Sequence, residues 1–404
     1  LTTDIFAAQS EFPSFLNYLP EKYGIVPYYG KYNSKDGSEV NYFSWTGDII
    51  FNAGEHIKFS AGRNKFFIGN GYRSLFLSDN SNASPYIKAE INVWKIKYIW
   101  TVLKLSDINL SASAVQTYPV KLYDKAAFIH YLSLNITKRI NFDFFEAIVT
   151  NPYDLDGRRS NYDLTYFNPV IFYRSAEFYE GSSDNSIIGA GLNIRAGKST
   201  FIYSQFILDD LLISSLKDGS GWWGNKFGLQ TGIKSYNTLN IKGLFSRFEF
   251  NAVRPYTYSH GEAYTTDGIA DLNYGSYLQP AAHPSGANFA EGIFEIRYVK
   301  KRLSGSLIII LTEKGEDTDS ISMGGDIYKS YNLRPSDYGI SFLQGEPTDT
   351  QIYNLKISYL INPEYNMFFN TGFYYRKEKN DFLVSENSII YFGITTGIFN
   401  SFLD

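Results

Sequence analysis

The sequence of 404 residues contains no cysteine, two methionines and four histidines. Without cysteine there is neither a disulfide framework nor a thiolate metal site. His56, His130, His260 and His283 are never paired at ligand spacing, so a zinc site lacks its donors, and no cofactor is implied. No Gly-x-Ser-x-Gly elbow accompanies the histidines, which argues against an enzyme. No apolar run approaches the roughly 18 to 20 residues of a spanning helix, and a helical membrane protein is excluded. The 37 basic residues are mixed with 41 acidic ones for a net charge of -4. That balance leaves no basic stripe for nucleic acid. The chain opens at Leu1 without a signal peptide, and this start reads as processed or trimmed.

What is abundant is aromatic: 34 Tyr and 32 Phe, beside 33 Gly. Such residues suit pleated strands. The hydrophobic fraction of 44% and the mean hydropathy of -0.23 are those of an ordinary soluble chain. A transmembrane barrel escapes that test, because each strand shows lipid on one face and lumen on the other. From Asn41 onward, segments of about ten residues are separated by Gly, Asn, Asp, Ser and Lys, the spacing of meandering strands. Phe294, Ile296 and Tyr298 alternate with Glu295 and Arg297. Leu244, Phe248 and Phe250 oppose Arg247, Glu249 and Asn251. Tyr353 to Ile361 and Ile390 to Ile398 alternate likewise. Segments near 85–105, 126–150, 186–209, 225–251, 289–313, 350–377 and 386–399 read as long strands joined by tight turns such as Arg195 to Lys198 and Lys300 to Arg302. Longer loops separate the pairs, the asymmetry of outer-membrane barrels. The predicted fold is all-β: a transmembrane antiparallel up-and-down β-barrel of about 16 to 18 strands. It spans 41–404, closing on an aromatic-bearing strand that ends at Asp404. Residues 1–40 form an N-terminal arm or plug, with Ile5 to Tyr23 read as short helices or irregular chain rather than a strand.

Three stretches carry candidate site residues. Gly62 to Asn80 has glycines at 69 and 71 but no Lys-Ser/Thr, so it is no phosphate loop. It reads as a strand entering an inward-folded loop, where Arg63, Arg73 and Asp79 pair inside the lumen beside Tyr72. In Tyr203 to Asp210 the adjacent carboxylates point to opposite faces of a strand and cannot act jointly on Ca²⁺ or as a hydrolytic pair. Asp209 is expected to pair with a lumenal arginine. The third stretch holds Trp222, Trp223, Arg254, Tyr256, Tyr258 and His260, then His283. If extended, Arg254, Tyr256, Tyr258 and His260 share one face, a row of rings and donors suited to carbohydrate. A membrane-interface girdle with loop packing is the other reading.

Five motifs in order, Gly69 to Asp79, Leu208 to Asp210, Trp222 to Gly228, Arg254 to His260 and Ala282 to Phe289, resemble the Bacteroidetes branch of the capsule assembly Wzi family, the branch of the gliding motility protein RemB. The resemblance covers roughly 41–404. It implies an outer-membrane barrel with a periplasmic helical part, which this chain's short, poorly patterned N-terminus departs from, as does Ser285 where an apolar residue is expected. The implied partners are outer-membrane lipid, surface polysaccharide and other outer-membrane proteins of the gliding or type 9 secretion apparatus. A diffusion channel for sugars or oligosaccharides is the alternative, and a hydrolase using His260 or His283 with Asp209 the third.

Overall fold

The computed structural model describes residues 2–107, 122–150, 152, 162, 164–169, 184–260 and 272–396. Seventeen strands form one sheet. One of them, Ser34–Asp36, is three residues long. The others are numbered in chain order: β1 Thr2–Ser10, β2 Glu39–Ala53, β3 Ile57–Asn64, β4 Ser84–Val93, β5 Ile96–Asp107, β6 Tyr123–Asn135, β7 Ile140–Thr150, β8 Asn185–Arg195, β9 Thr200–Asp210, β10 Lys226–Tyr236, β11 Leu244–Val253, β12 Phe289–Lys300, β13 Leu303–Glu316, β14 Glu346–Asn362, β15 Met367–Lys379 and β16 Val384–Thr396. Each pairs antiparallel with the next, a single meander from β1 to β16. The predicted residues from Gly397 to Asp404, including Ile398, lie outside the described ones.

Connections are short at one end of the sheet, as at Trp94-Lys95, Ala196 to Ser199 and Lys301-Arg302. At the other end the connections after β3, β9, β11 and β13 are long. These are called the turn end and the loop end below. The N-terminal reading divides at Ser10. Thr2–Ser10, expected outside the sheet, is strand β1, registered on β2 from Thr2 opposite Asp48 to Ser10 opposite Val40. The next piece is helical as expected, Ser14–Tyr23, ended by Gly24 in the left-handed region at φ 69°.

The alternation read from sequence is inverted relative to a water-soluble sheet. Phe294 and Tyr298 are about 40% exposed while Glu295 is 4% exposed. Phe248 and Phe250 are exposed while Glu249 and Asn251 are fully buried. On β16, Ile390, Phe392 and Ile394 are among the most exposed apolar residues. Exposed Trp94, Tyr298, Tyr359 and Tyr365 cluster toward the turn end, the position of an interfacial aromatic girdle. Apolar residues outside and charged residues inside are the pattern of a sheet solvated by lipid. Among the described residues no helix is long and apolar enough to cross a membrane.

The interior is filled by chain. Residues 65–83, between β3 and β4, fold inward, and Leu75, Phe76 and Leu77 pack with Phe145, Ile187, Ile207, Val253 and Phe289 from the strands around them. Phe76 stacks flat on Phe145 at 4.9 Å. Gly189 makes room for that pair, because a Cβ there would lie 2.4 Å from the Phe76 ring. Gly189→Val is therefore expected to displace Phe76 and to destabilise by about 1–3 kcal/mol. A lowered midpoint of thermal unfolding in detergent checks this, and an unchanged midpoint refutes the packing.

Candidate functional site

An inward-folded loop brings backbone N–H and C=O groups into an interior with no strand partner for them, so side chains must satisfy them. Inward positions of three adjacent strands do so. Glu249 on β11 accepts the N–H of Tyr72 at 2.6 Å and of Arg73 at 3.0 Å. It also accepts the Tyr203 hydroxyl at 2.7 Å and the Asn251 amide at 3.1 Å. Gln205 on β9 accepts the Leu75 N–H at 2.8 Å and donates to the Ile68 carbonyl at 3.1 Å. Gln230 on β10 donates to the Arg73 carbonyl at 3.0 Å. Gly71 is required at the tip, since a Cβ would come within 2.5 Å of both the Arg73 carbonyl and the Glu249 carboxylate.

A second carboxylate holds the other side. Glu291 on β12 receives Nε2 of His283 at 2.8 Å, Nδ2 of Asn251 at 3.1 Å and the Thr312 hydroxyl at 3.3 Å, with Nε of Arg73 at 3.8 Å. Nδ1 of His283 accepts the Ser285 N–H at 3.2 Å, which assigns the donated proton to Nε2. The ring stacks on Phe289 at 4.2 Å.

The expected pairing of Arg63, Arg73 and Asp79 does not form. Arg63 shares the outer face of β3 with Phe59, lies over the Trp45 ring at 5.5 Å and donates to the Trp45 carbonyl. Strand parity separates it from the lumen. Arg73 meets Glu291 instead, and Asp79 is exposed. Tyr72 packs its ring against Arg73 at 5.1 Å and Arg247 at 5.8 Å. Asp209 faces a lysine rather than an arginine: Nζ of Lys226 is 3.6 Å away, and its Oδ2 accepts the Tyr258 N–H at 2.8 Å.

Arg254 to His260 is not extended. Pro255 to Tyr258 form a turn with Tyr256 and Tyr258 at φ 66° and 68°. The two rings consequently diverge. The Tyr256 hydroxyl donates to the Ser322 carbonyl at 2.8 Å, and the Tyr258 hydroxyl donates to the Leu75 carbonyl at 2.8 Å. Both side chains are fully buried. Arg254 donates from Nε to the Asn225 carbonyl at 2.9 Å. These residues lock the loops together and leave no row of rings facing solvent.

The structure instead builds an aromatic and cationic cluster at the loop end from three loops. Trp223 and Tyr331 have ring centroids 4.7 Å apart. The Arg334 guanidinium lies 4.2 Å from the Trp223 ring and is held by Asp337 at 2.6 and 2.7 Å. His260 meets Tyr331 edge-on at 6.2 Å. Lys226 lies beneath, 5.3 Å from the Trp223 ring and 5.2 Å from Tyr331. Backbone bonds from Trp223 N–H to Asp337 O at 3.0 Å and from Ile340 N–H to Gly221 O at 2.9 Å fasten the loops. Trp222 packs over Gly224, where a Cβ would come within 2.5 Å of its ring. Trp222 is half-buried, and Leu333 and Tyr338 beside the cluster are exposed. Sequence reasoning found Trp222, Trp223 and His260 but missed Tyr331, Arg334 and Asp337. The run Tyr331 to Tyr338, with two aromatics, Arg, Pro and Asp on a loop, was the signal available.

No protein-family model and no curated protein matches the sequence. Solved structures do match. Wzi of Escherichia coli, an outer membrane protein involved in group 1 capsule assembly and described as a carbohydrate-binding β-barrel, aligns over 96% of this chain and 81% of its own at 11% identity, with a TM-score of 0.52. OpdK of Pseudomonas aeruginosa, solved with vanillate, aligns over 96% and 84% at 8% identity, with a TM-score of 0.46. OccK8 of the same organism aligns over 97% and 87% at 9% identity, with a TM-score of 0.45. The likeness to Wzi is one of fold, and the fold is that of an outer-membrane β-barrel protein.

Proposed function

We propose that this protein is a non-enzymatic outer-membrane β-barrel of the Wzi type that binds or anchors surface polysaccharide through its loop end. The observation that carries the reading is the loop-end cluster of Trp222, Trp223, Tyr331 and Arg334, fixed by Asp337 and flanked by exposed Tyr338. Aromatic rings cover the apolar faces of sugars, and a guanidinium locked to a carboxylate offers hydroxyls both a donor and an acceptor. The exposed apolar belt supports placement in the outer membrane, and the fold is shared with a protein described as carbohydrate-binding.

The filled interior weighs against a wide channel, since Leu75 and Phe76 occupy the middle of the lumen among the described residues. Hydrolysis through His283 and Asp209 finds little support in their placement. His283 binds Glu291 rather than Asp209, and Asp209 is engaged by Tyr258 and Lys226 in a buried setting. The finer assignment, a RemB-like protein docking with the gliding motility and type 9 secretion machinery of Bacteroidetes, extends this reading on the strength of the five ordered motifs. Copurification from native membranes tests it.

Trp222→Ala is the direct test of the polysaccharide site. Binding of the purified protein to immobilised bacterial surface polysaccharides is expected to weaken at least about tenfold, the loss of one aromatic anchor. The variant should remain folded, with a cooperative unfolding transition like that of the wild type, because Trp222 is only half-buried at the loop end. Undiminished binding to every polysaccharide that the wild type retains would sink the assignment.

A further inference from the structure

At the turn end, beneath the tip of the inward-folded loop, the lumen opens into a cavity of about 280 Å³. Four cations line it: Lys138 and Arg139 in the turn between β6 and β7, Arg195 at the end of β8, and Lys234 on β10. No carboxylate is among its lining residues. The side chains of Lys138 and Arg139 make no hydrogen bond or ion pair with the described residues, so their charges are available to a ligand.

The amides of the wall are fixed by hydrogen bonds. Asn70, from the inserted loop, donates to Asn193 Oδ1 at 2.8 Å, and its carbonyl accepts from Lys234 Nζ at 2.8 Å. Asn193 donates to Asn141 Oδ1 at 2.9 Å. The nearby carboxylates are covered by donors: Asp143 accepts from Asn193 at 2.7 Å, and Glu249 accepts from the Tyr203 hydroxyl at 2.7 Å. They stand behind the wall rather than in it. The Phe201 ring, 5.9 Å from the Arg195 guanidinium, supplies a flat apolar surface, beside Ile140, Ile194 and Ile202.

Each component has a chemical counterpart. Guanidinium and ammonium groups bind an oxyanion, and amides can donate to or accept from hydroxyls. A phenyl ring covers the apolar face of a pyranose. The volume is at the small end of ligand pockets, which suits one sugar unit rather than a chain. We propose that this vestibule is a second ligand site that takes an acidic saccharide unit, such as a hexuronate, from the turn side. The filled middle of the lumen separates it from the loop-end cluster, so the two sites stand or fall independently.

Calorimetric titration of the full chain in detergent micelles with glucuronate, glucose and inorganic phosphate tests the proposal. Glucuronate is expected to bind about tenfold more tightly than glucose, a difference of one charge-assisted contact. Lys138→Gln with Arg139→Gln, both in an exposed turn, should erase that preference. Phe201→Leu should weaken glucuronate and leave phosphate unchanged, whereas Trp222→Ala should alter neither. The proposal is overturned if no saccharide binds at up to about 10 mM, the weak end of the affinity scale. Equal binding of glucose and glucuronate removes the role of the cations. Phosphate binding as tight as glucuronate, with no effect of Phe201→Leu, reduces the site to a bare anion cluster. Loss of glucuronate binding in Trp222→Ala moves the ligand to the loop end.

Discussion

Replacing Glu249 with alanine is expected to release the inward-folded loop from the lumen. The carboxylate receives the backbone N–H groups of Tyr72 and Arg73, the Tyr203 hydroxyl and the Asn251 amide in a fully buried setting. Alanine leaves the two backbone donors without an acceptor, and each buried orphan costs about 1–3 kcal/mol. A loss of about 2–6 kcal/mol follows if the loop stays in place. An alternative is open to the chain: the loop withdraws and water solvates its backbone. Two measurements separate these outcomes. Denaturant unfolding in detergent reads the stability loss, and planar-bilayer conductance reads an emptied lumen. A variant with wild-type midpoint and wild-type conductance would show that Glu249 does not hold the loop.

The second large effect is expected on the opposite face. Phe294 lies mid-strand on β12, registered between Phe248 of β11 and Ile309 of β13, and is exposed. Phe294→Arg places a charge on the lipid-facing surface near the middle of the apolar belt, where such a change costs about 2–4 kcal/mol. In a protein bathed by water the same change would be neutral or favour solubility. Unfolding titrations of the two proteins in lipid bilayers check it, and equal midpoints would remove the membrane assignment. The control is Arg297, two positions beyond Glu295 on the inner face, where its guanidinium lies 2.9 Å from the Glu295 carboxylate. Charge is tolerated on that side because it is paired and wet.

The strands were legible because a period of two survives on both faces of a sheet whichever solvent each face meets. Arg247, Glu249 and Asn251 already fell opposite Phe248 and Phe250, and tight turns such as Lys300 to Arg302 fixed the hairpin ends. Strand β1 was harder to see, since it pairs with β2 on one flank and its Ala7-Ala8-Gln9-Ser10 end offers little alternation. The site was less legible still, for a geometric reason. Tyr256 and Tyr258 take left-handed backbone angles that non-glycine residues rarely adopt. What holds them there are bonds to Gly324 and Leu75, far away in sequence. No local pattern announces such a turn. Arg63 was assigned inward although its parity with Phe59 places it outward, an error that counting along β3 would have caught.

The inward-folded loop is made early, yet its dock is made late. Leu75 waits for Gln205, 130 positions on, Tyr72 for Glu249, 177 positions on, and the Leu75 carbonyl for Tyr258, 183 positions on. Contacts of such sequence separation are slow to form, because the intervening chain must be gathered first. Until β9 to β11 have joined the sheet, Leu75 lacks Gln205 and the Tyr72 and Arg73 N–H groups lack Glu249. Seating of the loop therefore waits for β9 to β11 and the turn that follows them, and a molecule held inside the sheet before then would be enclosed when the loop takes its place.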